Sequence, residues 1–289
     1  MLKHISRNPI LISALMIAIL LIAAGCNAAL TPAPAVTEPV QLTAPSPTPT
    51  LTPTLRPTAT PAPTPTSAPT AAPSPTPKPT VKPVDPSSGI IYYNGFADPR
   101  TIEPAAVADP LNLTALVNKF FALPADFVPP LMTADGTNAQ IQPAVNDAWI
   151  ALRDNCLAAT GVNLELISAY RSYAEQASQF LDAIRRKGIA STVNYNALEG
   201  RSEHQLGLAL DFGDGVTKDF SLAFAKSAAG VWLAQNAYNY GFILRYPSGR
   251  ESVTDYAYEA WHYRYVGIET AALCFANNWT LEEYIQSIG

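Results

Sequence analysis

Histidine is nearly absent from this 289-residue chain: there are three, against 23 acidic and 18 basic side chains. Cysteine is as scarce, with three. Two of these, Cys156 and Cys274, sit in apolar helical patterns where free buried thiols are common, although an oxidising compartment would also let them pair. There is no excess of positive charge. The formal net charge is −5, and without Lys3 and Arg7 the rest of the chain carries 16 basic and 23 acidic groups, a balance of −7. That excludes the basic face expected of a nucleic-acid partner. A long hydrophobic run is lacking as well: the uncharged stretch Ile10–Ala24 has fifteen residues, short of the roughly 20 that a membrane helix needs.

What stands there instead is the layout of a signal peptide: Lys3 and Arg7, the apolar run, then Ala23-Ala24-Gly25-Cys26. The last four residues resemble a bacterial lipobox, which predicts lipidation at Cys26 and places the remaining chain outside the cytoplasm, attached to the membrane through an N-terminal lipid. A plain secretory signal or an uncleaved anchor is the alternative. Residues 27–88 are dominated by Thr, Pro, Ala and Ser, and 18 of the 27 prolines fall between Pro32 and Pro86. Such a composition has too little apolar surface to build a core and predicts a semi-rigid tether. The expected organisation is therefore a lipoprotein-type signal peptide at 1–26, a Pro/Thr-rich disordered linker at 27–88 and one folded domain at 89–289, long enough for a single buried core.

Within that domain, Val145, Trp149, Leu152 and Cys156 recur at helical intervals up to Gly161. "YAEQASQFLDAIRRKG" and "SLAFAKSAAGVWLAQNAYNYG" read as two further helices ending at Gly188 and Gly241. "LELIS", "FILRY" and "YEAWHYRYV" read as strands, and Thr280 with Glu283 as a helix capping box. The expected fold is α+β, with helices flanking a small, mostly antiparallel sheet.

With His4 in the signal segment, two histidines remain, and each has a carboxylate close by: His204 with Asp211, and His262 with Glu259. Two imidazoles and one carboxylate suit a catalytic Zn²⁺, with a second carboxylate free to act as base. The same residues read equally as ordinary buried polar groups, and spacing does not decide between the two. Geometry sets a condition on the first reading. Gly207 interrupts any helix between His204 and Asp211, so His204 belongs on a turn and Asp211 on the strand that follows. Glu259 and His262 have an odd separation and would face opposite sides of a regular strand, so Glu259 must lie on a bend before it.

"SEHQLGLALDF" and "YEAWHYRYVG" match the S-x-H-x-x-G-x-A-x-D and E-x-W-H-Y-R-Y-V-G patterns, and on them the chain resembles the VanY-like D-alanyl-D-alanine carboxypeptidases, including their L,D-carboxypeptidase branch. "LVNKFFALPADFVPP", "SAYRSYAEQ", "YGFILRYP" and "TLEEYI" extend the resemblance over most of the domain. It implies a hedgehog/DD-peptidase-like fold with its zinc site at the sheet. It also implies Zn²⁺ ligands at His204, Asp211 and His262, a catalytic Glu259, and an Arg171 that touches substrate and stabilises charge. Gln176 and Ser202 match positions near the peptide's C-terminal end; Ser202 also reads as the cap of the turn carrying His204. Ala260 and Glu199 depart from prolines usual in the family. The implied activity is a monomeric zinc carboxypeptidase acting on peptidoglycan stem peptides. The alternatives are an L,D-carboxypeptidase acting on tetrapeptide stems and a catalytically silent wall-binding lipoprotein; survival of all four site positions favours an enzyme.

Overall fold

A computed structural model describes residues 88–289; the predicted signal segment, Cys26 and all but the last residue of the predicted tether lie outside the described residues. Three two-stranded ladders come first. Tyr92–Tyr93 (β1) pairs with Phe96–Ala97 (β2), Ala105–Ala106 (β3) with Phe121–Ala122 (β4), and Met132–Thr133 (β5) with Gln140–Ile141 (β6). Helix α1 (Pro143–Thr160) starts on a proline, which suits a first helical turn because its missing N–H has no partner there. It buries Val145, Trp149, Leu152 and Cys156 and stops at Gly161, φ 73°. Both Cys156 and Cys274 are free and buried.

Strand β7 (Glu165–Ser168) leads into helix α2 (Tyr173–Lys187), whose N-terminus is closed by a capping box between Ser172 and Glu175. The short helix α3 (Ile189–Tyr195) follows at once, a segment whose seven residues carry too little periodicity to be read from sequence. Strand β8 (Ala209–Gly213), helix α4 (Ala228–Asn236), strand β9 (Phe242–Leu244), the helical turn α5 (Glu251–Thr254) and strand β10 (His262–Tyr265) complete the site-bearing part. Helices α6 (Ile268–Asn277) and α7 (Leu281–Ile288) close the domain, the latter capped by Thr280 and Glu283 as expected.

The central sheet is antiparallel throughout, in the order β7-β8-β10-β9. Two expectations change. The helix predicted across 221–240 is broken: a 3-10 turn spans Leu222–Lys226, α4 begins afresh at 228, and a second 3-10 turn spans Ala237–Tyr240. Ser227 causes the restart by accepting a hydrogen bond from Gly230 N at 3.1 Å. Gly230 allows it, since a Cβ there would lie 1.9 Å from Phe224 O. The strand predicted across 258–266 keeps only His262–Tyr265, which leaves Glu259 on the preceding bend, where the metal-site reading required it.

Strand β8 separates the two functions of the sheet by simple alternation. Leu210 and Phe212 enter the core, where Phe212 stacks on Trp149 at 5.7 Å and meets Phe242 and Tyr263, while Asp211 faces the other side. Because Phe212 is wholly buried, Phe212→Ala should cost about 3–5 kcal/mol of stability. Urea unfolding measures this, and a loss below about 1 kcal/mol would place the packing centre elsewhere.

Candidate active site

The site is assembled by register. In the β8–β10 pairing Asp211 lies directly opposite His262, so their side chains leave the sheet on one face, with His262 Nδ1 2.9 Å from Asp211 Oδ1. A slip of one residue would turn one of the two into the core and separate the pair. On the other flank Ser168 pairs with Asp211 while Leu166 pairs with Phe212, so Ile167 bulges into the cavity wall.

His204 arrives from a 3-10 turn, Glu203–Leu206, immediately before β8. Ser202 caps that turn, accepting from His204 N at 3.4 Å. Gly207 ends it at φ 68°, and a Cβ there would come within 3.2 Å of Gln142 N, so glycine meets both the backbone conformation and the close approach. The ring is held by the segment leaving β7: His204 Nδ1 is 2.6 Å from Ala169 O. A carbonyl only accepts, so Nδ1 carries the proton and Nε2 offers its lone pair.

That lone pair points 3.1 Å from Asp211 Oδ2, and Nε2 has no hydrogen-bond partner. Burial, helped by Arg171, lowers the imidazole to about 4 against the pull of Asp211, so His204 stays neutral and two acceptors face each other. A cation relieves that opposition. Ligand atoms of His204, Asp211 and His262 all lie within 4.8 Å of one another, and all three residues are buried. The nitrogen and oxygen donors suit zinc. His262 turns Nδ1 towards this cluster, also 3.8 Å from Glu259 Oε2, and turns Nε2 away from it, towards Glu203.

Glu259 is 5 % exposed at the bend before β10, its backbone N–H donating to Tyr246 O at 3.1 Å. Burial raises its carboxyl to about 8, with Asp211 adding to the rise and His262 opposing it. Burial lowers His262, but the Asp211 and Glu203 carboxylates outweigh that and hold it at about 9, so a cation that binds at Nδ1 displaces a proton from the ring.

These residues line a cavity of about 770 Å³ that also takes in Arg171, Gln176 and Ser202. Arg171 donates through Nη1 to Gln179 Oε1, while its buried Nε has no partner. Gln176 donates to Ala197 O at 2.7 Å and keeps a buried, unpaired Oε1. All seven residues singled out in the folded domain thus meet at one cavity. Sequence reading missed three neighbours. Tyr246 packs on the His262 ring at 4.9 Å, and Phe220 lies edge-on to Trp261 at 6.0 Å with φ 53°. A positive φ is rare for an aromatic residue, and Phe220 is half exposed at the cavity wall. The third is Glu203, fully buried beside His204; flanked by Arg201, Ser202, His204 and Gln205, it carried no signal of burial in the sequence.

Several known proteins are similar to this chain. Residues 138–268 match the VanY family model, described as D-alanyl-D-alanine carboxypeptidase. The bifunctional D-Ala-D-Ala dipeptidase and D-Ala-D-Ala carboxypeptidase VanXYC of Enterococcus gallinarum is 37% identical over 182 residues, covering 60% of this chain and 94% of that protein. Among solved structures, the LdcB LD-carboxypeptidase superposes with a TM-score of 0.59 at 37% identity, covering 63% of this chain and 90% of that one. A mutant of the VanY D,D-pentapeptidase from a VanB-type vancomycin-resistance cassette, in complex with Zn(II), gives 0.53 at 31%, covering 60% and 98%. The mixed helix-and-sheet fold is that of the VanY- and LdcB-type peptidases. With 94% of VanXYC covered at 37% identity, the chain belongs to the VanY family of cell-wall carboxypeptidases.

Proposed function

We propose that this chain is a zinc-dependent D,D-carboxypeptidase that removes the terminal D-alanine from peptidoglycan stem peptides, acting outside the cytoplasm from a lipid anchor on Cys26. The observation that carries the reading is the opposed acceptor pair, neutral His204 Nε2 against Asp211 Oδ2 at 3.1 Å, with His262 Nδ1 completing a cation-seeking cluster beside a buried glutamate. His204, Asp211 and His262 would hold the zinc. When bound, zinc supplies Lewis acidity that activates water and polarises a carbonyl.

The chain's own groups supply the rest. Glu259, raised to about 8, can both accept and hold a proton near neutrality. It takes the proton of the attacking water and returns it to the D-alanine nitrogen as the C–N bond breaks. Arg171, with Nε unpaired at the cavity, donates to the developing oxyanion or to the terminal carboxylate. Gln176 Oε1 and the Ser202 hydroxyl, both at the cavity wall, would hold the peptide's C-terminal end, Ser202 also serving as the cap of the 3-10 turn. The acidic balance and the Pro/Thr-rich segment before the domain suit a tethered enzyme reaching for wall peptides.

A second reading, cleavage of tetrapeptide stems as an L,D-carboxypeptidase, draws support from the superposition on LdcB, at TM-score 0.59. Incubating the protein with pentapeptide and tetrapeptide stems and weighing the products separates the two. Loss of one alanine from the pentapeptide alone is expected. Loss from the tetrapeptide alone makes the second reading correct, and no loss from either, with zinc bound, leaves a wall-binding protein.

A further inference from the structure

The 3-10 turn Glu203–Leu206 presents a second carboxylate to His262, at the ring nitrogen turned away from the His204–Asp211 cluster. Glu203 has no solvent exposure in its side chain, and its Oε1 is 2.7 Å from Arg245 Nε and 2.9 Å from Arg264 Nη1. Two guanidiniums therefore fix that oxygen and the orientation of the carboxylate. Its other oxygen, Oε2, faces His262 Nε2 at 3.5 Å, longer than a formed hydrogen bond, and both buried atoms are without a hydrogen-bond partner. Arg245 is itself fixed from the far side by Glu282 of α7, with Nη1 and Nη2 at 2.9 and 2.6 Å from the two oxygens.

We infer that Glu203 is a positioning residue: it accepts the Nε2–H of His262, so that the lone pair of this imidazole sits on Nδ1, facing Asp211 and Glu259. Among the described residues His262 Nε2 finds no hydrogen-bond partner elsewhere. Without Glu203, Nε2 would have to give up its proton or leave it unsatisfied in the interior. The two histidines are then set in opposite senses. His204 keeps its proton on Nδ1, donating it to a backbone carbonyl, and offers Nε2; His262 keeps its proton on Nε2, facing a carboxylate that accepts it, and offers Nδ1. A carboxylate behind a ligating imidazole also raises its basicity, and loss of such partners typically costs about 10- to 100-fold in metal affinity. The Arg245–Glu282 pair extends the same support to the C-terminal helix, but Glu282 makes no contact with the ring.

The inference rests on the proposed zinc site, and the test keeps the two apart. Zinc affinity of the parent, Glu203→Gln and Glu282→Gln is measured by competition with a chromophoric chelator. The ring nitrogens of the zinc-loaded parent are assigned by ¹⁵N NMR. The expected result is a loss of about 10- to 100-fold for Glu203→Gln, near-parental affinity for Glu282→Gln, and a proton on Nε2 of His262 but on Nδ1 of His204 in the parent. Parental affinity in folded Glu203→Gln, an equal loss in both variants, or a proton on His262 Nδ1 overturns it. If Glu203→Gln does not fold, the NMR assignment of the parent decides. A parent that binds no zinc sinks the metal-site proposal itself.

Discussion

Replacing either His204 or His262 with alanine abolishes stoichiometric zinc binding. Each supplies one of only three donor groups whose ligand atoms lie within 4.8 Å, and among the described residues there is no third histidine to take its place. A carboxylate and one imidazole are too few for a catalytic zinc site, which takes three protein ligands and keeps the fourth position open. Elemental analysis after dialysis reads the loss directly. A second readout is stability: a ligand at 100 times its Kd stabilises the folded state by about 2.7 kcal/mol, and that zinc-dependent shift in Tm should vanish in both variants. Full zinc content in either variant would show that the cluster is not the metal site.

Glu259→Gln tests the acid-base role. The amide keeps the shape of the side chain but accepts no proton from water, and a general acid-base group contributes about 10² to 10⁴ in rate. Turnover of stem peptide should fall by that order while zinc content and thermal stability hold. Glu259 lies 3.8 Å from His262 Nδ1 but outside the three-ligand cluster, so zinc should stay. Loss of zinc would make Glu259 a ligand and put Asp211 in question. Turnover near the parental value would remove the proton-transfer role altogether.

Local chemistry made much of the fold legible. The periodicity of Val145, Trp149, Leu152 and Cys156, the glycine stops at Gly161 and Gly188, and the Thr280–Glu283 box all act within a few residues, and each holds in the structure. Where reading failed, a competing short-range contact had won. Ser227 capped a new helix inside an apolar run that looked continuous, and α3 was too short to show a period. The requirement that Glu259 lie off the strand followed from parity alone, since three residues cannot return to the same face of a pleat.

The candidate site divides along the same line. The sequence by itself determined which residue types were available: two histidines, their neighbouring carboxylates, and Gly207 to force a turn between His204 and Asp211. It also carried, through ordered motifs, the resemblance to a family. Only the tertiary structure decided that Asp211 and His262, 51 residues apart, are cross-strand partners, because that register is set by burying Leu210, Phe212 and Tyr263 together on the opposite face. It alone decided which nitrogen each ring turns inward, through Ala169 O for His204 and Glu203 for His262, since no spacing along a chain specifies what a ring meets across a fold.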